Sequence, residues 1–174
     1  PTAPRRKEVL VLVVIALASG GAGEGLIGFE GHGRRTTTRL LDGEFPKYRS
    51  LLPSESAAIA SVDTAALIDA VKRVALVAER NTPVRLAFEG SELTLRAGAG
   101  DDAVEVLESV LDGDPIDIAF NPAYLLDGLA AVGAPVTRFS FTQATRPAVL
   151  TGVDADSQII EDYRYLVMPV RLTG

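Results

Sequence analysis

The sequence predicts an α+β fold built by internal duplication, and three observations predict it. The order strand, helix, three strands occurs twice after residue 53. Both expected helices begin at a side chain suited to capping, Asp63 and Asn121, the second followed by Pro122, the residue preferred at the first helical position. The chain also ends in a β-rich apolar run, Tyr163 to Leu172, where most chains end in a polar tail. Two helices laid on one sheet face are the layer arrangement that fits this order.

The elements follow in sequence. Residues 9–18, 25–30 and 35–41 read as strands joined by Gly-rich turns. Residues 43–53 carry Pro46 and Pro53 and read as an extended connector, dividing the chain into units 1–53 and 54–174. Residues 57–62 predict a short strand and Asp63 caps a helix running to about Arg80. Ala66, Leu67, Ala70, Val71, Val74 and Ala78 form its apolar stripe. Val84–Glu89 and Glu92–Ala97 form a hairpin around Gly90-Ser91, and residues 103–111 form one further strand. The second round has a strand at 116–120 and a helix from Pro122 to about Val132 that Gly133 stops. Strands at 136–142, 147–151 and 163–172 complete it. Pro169 lacks a backbone donor, so the last segment runs along an edge or leaves the sheet there.

Composition narrows the function. With 174 residues, 47% hydrophobic and 23% charged, the chain can bury one sizeable core and part of another. It has no Cys, which excludes disulfides, thiolate metal sites and a Cys nucleophile, and a single His, His32, in a Gly-His-Gly turn pattern. No metal or cofactor is expected. Arg5-Arg6-Lys7 followed by residues 9–18 imitates a signal peptide, yet the apolar run is about half the ~20 residues a bilayer requires, and its Val and Ile content suits a strand. A cytoplasmic protein is expected.

Catalytic motifs fare poorly. Gly23-Glu24-Gly25-Leu26-Ile27-Gly28 matches the dinucleotide fingerprint, but that motif works only where its last Gly opens a helix. Phe29-Glu30-Gly31-His32-Gly33 follows instead, which leaves a small nucleotide-binding enzyme as the weaker alternative. Ser54, Ser56 and Thr64 have no neighbouring base. The acidic cluster Asp101-Asp102, with Glu105 and Glu108, has the ligand type for a divalent cation, but alternation along a strand splits it between faces, and it reads instead as charges that discourage pairing along an edge strand. Asp69, Lys72, Arg73, Leu76 and Arg80 lie off the first helix's apolar stripe, and Val77 fits that stripe badly.

Several segments together resemble the bacterial DNA polymerase III β subunit, the sliding clamp, most of all its actinobacterial members. They are Gly23–Gly31, Arg34–Pro53, Asp69–Leu86, Ala119–Leu129, Phe139–Gly152 and the closing YLVMPVRL, all in the family's order. The resemblance covers nearly everything after Ser19. Residues 1 to about 14 depart from it, and the chain reads as a fragment holding the last part of the second clamp domain and all of the third.

The resemblance implies a non-catalytic processivity factor, a homodimeric ring around duplex DNA. Through short peptide motifs, that ring tethers the polymerase III catalytic subunit and the clamp loader. It implies a peptide groove walled by Pro46, Ser50, Leu51, Asn121, Tyr124, Thr145, Pro147 and Leu166, Val167, Met168, Pro169, Val170, Arg171 and Leu172. It also implies that Lys72 and Arg73 face DNA, and that Leu76, Val77, Asp101, Asp102 and Glu105 meet a partner protomer. A peptide-binding module without ring function is the other alternative.

Overall fold

The computed structural model describes residues 13–17, 25–31, 33–41, 44–45, 47–53, 55–77, 82–98 and 103–171. They divide into two compact units, residues 1–46 and 47–174. In the first, β1 (Val13–Leu17), β2 (Leu26–Gly31) and β3 (Arg34–Arg39) form an antiparallel sheet in chain order. Gly33, at φ 73°, makes the β2–β3 turn, and the cross-strand partners Glu30 and Arg35 pair at 3.1 Å. The segment that mimics a nucleotide fingerprint therefore continues into a hairpin, not a helix.

The second unit contains the duplication. Its first repeat is β4 (Ala58–Asp63), α1 (Thr64–Ala75), β5 (Val84–Glu89), β6 (Glu92–Ala97), β7 (Ala103–Glu108) and β8 (Val110–Gly113). Its second is β9 (Ile116–Phe120), α2 (Pro122–Val132), β10 (Val136–Phe141), β11 (Ala148–Val153) and β12 (Ile159–Val167). The strands lie in two sheets, ordered β12-β11-β10-β4-β8 and β7-β6-β5-β9. The first strand of each repeat thus sits beside the hairpin of the other: β4 pairs β10 and β9 pairs β5.

At two points a run that reads as a single strand leaves one sheet and joins the other. The strand expected over 103–111 breaks at Ser109, whose N–H donates to the Ser91 carbonyl at 2.9 Å; β7 stays in one sheet and β8 enters the other. The final run breaks likewise. β12 stops at Val167, Pro169 bridges Phe120, and the Val170 N–H donates to the Ala119 carbonyl at 2.8 Å. Alternation of side chains continues through both breaks, so a period-2 pattern cannot reveal the change of hydrogen-bond partner.

One core joins these parts. Leu67, Val71 and Val74 of α1, Leu125 and Leu129 of α2, and the rings of Phe88, Phe139 and Phe141 are all essentially buried. Phe88, from the four-stranded sheet, lies 5.6 and 5.4 Å from the two rings of β10 and so ties the sheets together. Each such side chain contributes about 1.5–3 kcal/mol through its removal from water. The Asp63 carboxylate accepts from Ala66 N at 2.8 Å and the Asn121 side chain from Ala123 N at 2.9 Å, as capping requires. Gly133, at φ 59°, ends α2 in the left-handed region. By contrast α1 ends at Ala75, not near Arg80. Its last buried residue is Val74, and the following N–H, on Leu76, bonds back to the Arg73 carbonyl at 3.1 Å. Among the described residues no helix is long and apolar enough to cross a membrane.

Candidate functional site

The chain end builds the site by alternation. Tyr165 and Val167 point to the helix side: Val167 is 2% exposed in the core, and the Tyr165 hydroxyl donates to the Tyr124 carbonyl at 3.0 Å. Leu166 points to the opposite face, across from Val149 on β11, and Met168 is 62% exposed. Because Pro169 has no N–H, the ladder with β11 cannot continue, and residues 168–171 are released to span the two sheets.

That release opens a hollow of roughly 300 Å³ bounded by Asp117, Ile118, Ala119, Ala144, Thr145, Pro169, Val170 and Arg171. On the other side of the β10–β11 loop lies a second hollow of roughly 330 Å³, lined by Leu51, Pro53, Thr142, Gln143, Arg146 and Pro147. The loop is their shared wall. The expected groove residues are thereby gathered in two sets, Thr145 with Pro169, Val170 and Arg171, and Leu51 with Pro147.

Others are placed differently. Val167 is a correction: it belongs to the core and offers no side chain to a ligand, because it shares its strand face with Tyr165. The Asn121 side chain is occupied in capping α2, and Tyr124, though exposed, lines neither hollow. Leu166 and Met168 also lie outside both linings. Ser50 ends the short 3₁₀ turn Tyr48–Ser50, while Pro46 and Leu172 lie outside the described residues. The sequence pattern gives no sign of Ile118 and Ala119, which become neighbours of the chain end only through the crossover, nor of Arg146, which lines the hollow with Leu51. Nor does it mark Leu52 and Pro53, which join Val149 in a hollow on the outer face of the five-stranded sheet.

On α1, Lys72 is exposed, but Arg73 is not a lone cation. Its guanidinium grips Glu105 of β7 with two of its nitrogens, Nε donating to Oε1 and Nη2 to Oε2 at 2.6 Å. Arg73, expected to face DNA, and Glu105, expected to meet a partner protomer, are thus joined to each other. The two groups lie on different elements, so spacing along the chain carries no sign of the pair. The hydrogen bond from Arg73 holds the Glu105 carboxyl below the usual carboxylate range, and the same bond raises the Arg73 pKa. Leu76 is 84% and Val77 48% exposed, and on the outer side of β7 Val104 and Val106 are exposed as well. Asp101 and Asp102 lie outside the described residues.

Among the described residues no group of three or more acidic or His side chains is placed to hold a metal ion. The expected turn residue His32 is outside the described residues.

Comparison with known proteins bears on what such an arrangement does. The sequence pattern of the DNA polymerase III beta subunit, C-terminal domain, matches residues 49–171. A beta sliding clamp of Streptomyces coelicolor is 59% identical over 165 residues, covering 93% of this chain and 44% of the relative. A beta sliding clamp homolog, GriR, of Streptomyces muensis is 44% identical, covering 92% of this chain and 43% of the relative. Among solved structures, a sliding clamp of Pseudomonas aeruginosa, bound to griselimycin, superposes with a TM-score of 0.74 at 28% identity. It covers 84% of this chain and 39% of its own. The beta subunit of Thermotoga maritima gives a TM-score of 0.72 at 26% identity, covering 85% and 40%. This chain therefore spans a little under half the length of these relatives.

Proposed function

The chain belongs to the family of the bacterial DNA polymerase III beta subunit, and from that premise we propose that it acts as the partner-binding, C-terminal part of a sliding clamp. The clamp's work is topological: a closed ring holds duplex DNA by encirclement and keeps a tethered polymerase from dissociating. No bond is made or broken by the clamp itself, and it acts in the cytoplasm. A net charge of −6 suits this role, because a protein held by many phosphate contacts would bind DNA tightly and slide poorly. Lys72 offers DNA a light, sequence-independent attraction, with Arg73 contributing less because Glu105 neutralises it. Leu76, Val77 and the β7 edge are the surface offered to a partner protomer of a homodimeric ring.

The observation that carries the reading is the release of the chain end at Pro169. It leaves Val170 and Arg171 against Thr145 and exposes Met168 beside them. We read the hollows on either side of the β10–β11 loop as the seats of a short peptide from the polymerase or the clamp loader, with a Leu and a Phe as anchors. Each buried anchor contributes about 1.5–3 kcal/mol, which after ordering costs leaves an affinity of roughly micromolar order. Such weakness lets partners exchange.

Titration calorimetry of the chain with a Leu- and Phe-anchored peptide tests the proposal. Truncation after Tyr165 would be a poor control, since it removes Val167 from the core. The double variant Val170→Ser, Pro147→Ser keeps that residue and should weaken binding at least tenfold. Unchanged affinity in that variant would overturn the assignment.

A further inference from the structure

The two crossovers occupy equivalent places in the duplicated unit, yet their chemistry differs. Val110 lies opposite Ser61 of β4 just after the first break, and Pro169 lies opposite Phe120 of β9 at the second. Each crossover backs onto a hollow bounded by the first strand of its repeat and a hairpin turn. At the second crossover the Asp117 carboxylate is already held by Arg85 at 2.7 Å, so Arg171 sets the charge. At the first crossover the hollow is larger, roughly 430 Å³, and is lined by Asp63, Ser91, Glu108, Ser109, Val110 and Val136 with the adjoining β4 backbone. Two acidic residues and no basic one line it, one oxygen of Asp63 being already engaged in capping α1.

Ser109 makes this more than an acidic patch. It is only 6% exposed, and its Oγ has no hydrogen-bond partner among the described residues. A buried hydroxyl left in that state costs free energy that a ligand donor would recover. Beside it, β8 is the last strand of its sheet, so the outer N–H and C=O groups of residues 110–113 have no strand partner among the described residues. Val110, 71% exposed, stands at the mouth.

We propose that this hollow is a second peptide-docking site, which takes an extended segment carrying a basic side chain. The segment adds to the β8 edge. Its ammonium or guanidinium sits between Glu108 and Asp63 and donates to Ser109 Oγ, while an adjoining apolar residue covers Val110. The site is separate from the groove proposed above, with the opposite charge preference, and does not rest on the ring reading.

The test uses the full 174-residue chain and a blocked hexapeptide of alternating Val and Arg, followed by fluorescence anisotropy and amide shift mapping. Expected are shifts over residues 109–113, about tenfold weaker binding in Glu108→Gln, and a smaller loss in Ser109→Ala. Glu161→Gln, which removes a carboxylate from the far edge strand, should leave affinity unchanged. The same peptide with Glu in place of Arg should not bind. The inference is overturned if Glu161→Gln weakens binding as much as Glu108→Gln, if the Glu peptide binds equally well, or if the shifts fall on residues 117–119 and 169–171. Displacement of the basic peptide by the Leu- and Phe-anchored peptide would also overturn it. Because the two hollows carry separate resonances, loss of binding at one is distinguishable from loss at the other.

Discussion

The two repeats solve one packing problem in two ways. Aligned on their caps, Asp63 and Asn121, the helices bury matching positions: Leu67 and Leu125, Ala70 and Gly128, Val71 and Leu129, Val74 and Val132. The core therefore constrains both helices alike. What differs is the way each helix is tied to a later strand of its own repeat. In the first repeat Arg73 reaches Glu105 in an exposed ion pair. In the second, Tyr165 lays its ring on Gly128, where a Cβ would overlap it, and its hydroxyl donates to the Tyr124 carbonyl. A duplicated unit can thus keep its interior while one outer seam stays ionic and open and the other becomes aromatic and shut. The open seam is the one beside exposed Leu76, Val77, Val104 and Val106.

Breaking the aromatic closure should have the largest effect. Tyr165→Ala removes a half-buried ring and strands the space above Gly128; we expect a loss of about 3 kcal/mol in urea unfolding. Gly128→Val should cost about 2 kcal/mol, because the added methyls meet the ring in a helix that cannot retreat from its core contacts. The matching Ala70→Gly, in the first repeat, should cost less, about 1 kcal/mol, from helix propensity and a small lost methyl. If Gly128→Val proves as mild as Ala70→Gly, the closures are not different in kind.

The ionic closure should show itself in pH rather than in size. Hydrogen bonding to Arg73 lowers the folded pKa of Glu105 beneath its unfolded value, near 4.3. Its stabilising contribution is therefore present above that unfolded value and is lost as pH falls through the lowered folded one. Urea midpoints of the wild type and Arg73→Ala should differ slightly at pH 7 and converge only once pH has fallen below the lowered folded pKa of Glu105, the difference also shrinking in high salt. A gap that persists at low pH would mean Arg73 acts through packing of its stem, not its charge. Raising pH has its own signature in the other repeat. Burial and nearby acidic groups push the Tyr165 hydroxyl up, so its ultraviolet titration should fall above that of exposed tyrosines.

Much of this architecture was legible in local chemistry. Asp63, Asn121-Pro122 and Gly133 mark helix ends because a cap is a bond within a few residues, and Gly90-Ser91 marks the hairpin for the same reason. Pro169 announces the end of β12 because a missing donor is a property of one residue. The groove was less legible. Thr145, Pro147, Val170 and Arg171 came from likeness to a family, and nothing in their spacing assigns them to one surface.

Tertiary structure alone decided the rest. Alternation says that Leu166 and Val167 face opposite ways but not which of them meets the core; pairing with Val149 and Ala148 settles that. The first helix could run past Ala75 by propensity, and it stops where its core contacts stop. Strand patterns repeat every two residues whatever sheet they enter, so the breaks at Ser109 and Pro169, and the hollows they open, depend on partners far along the chain. The same distance hid the Arg73–Glu105 pair. Local bonds are written into neighbouring residues, whereas contacts across the chain exist only once folding has brought their two sides together.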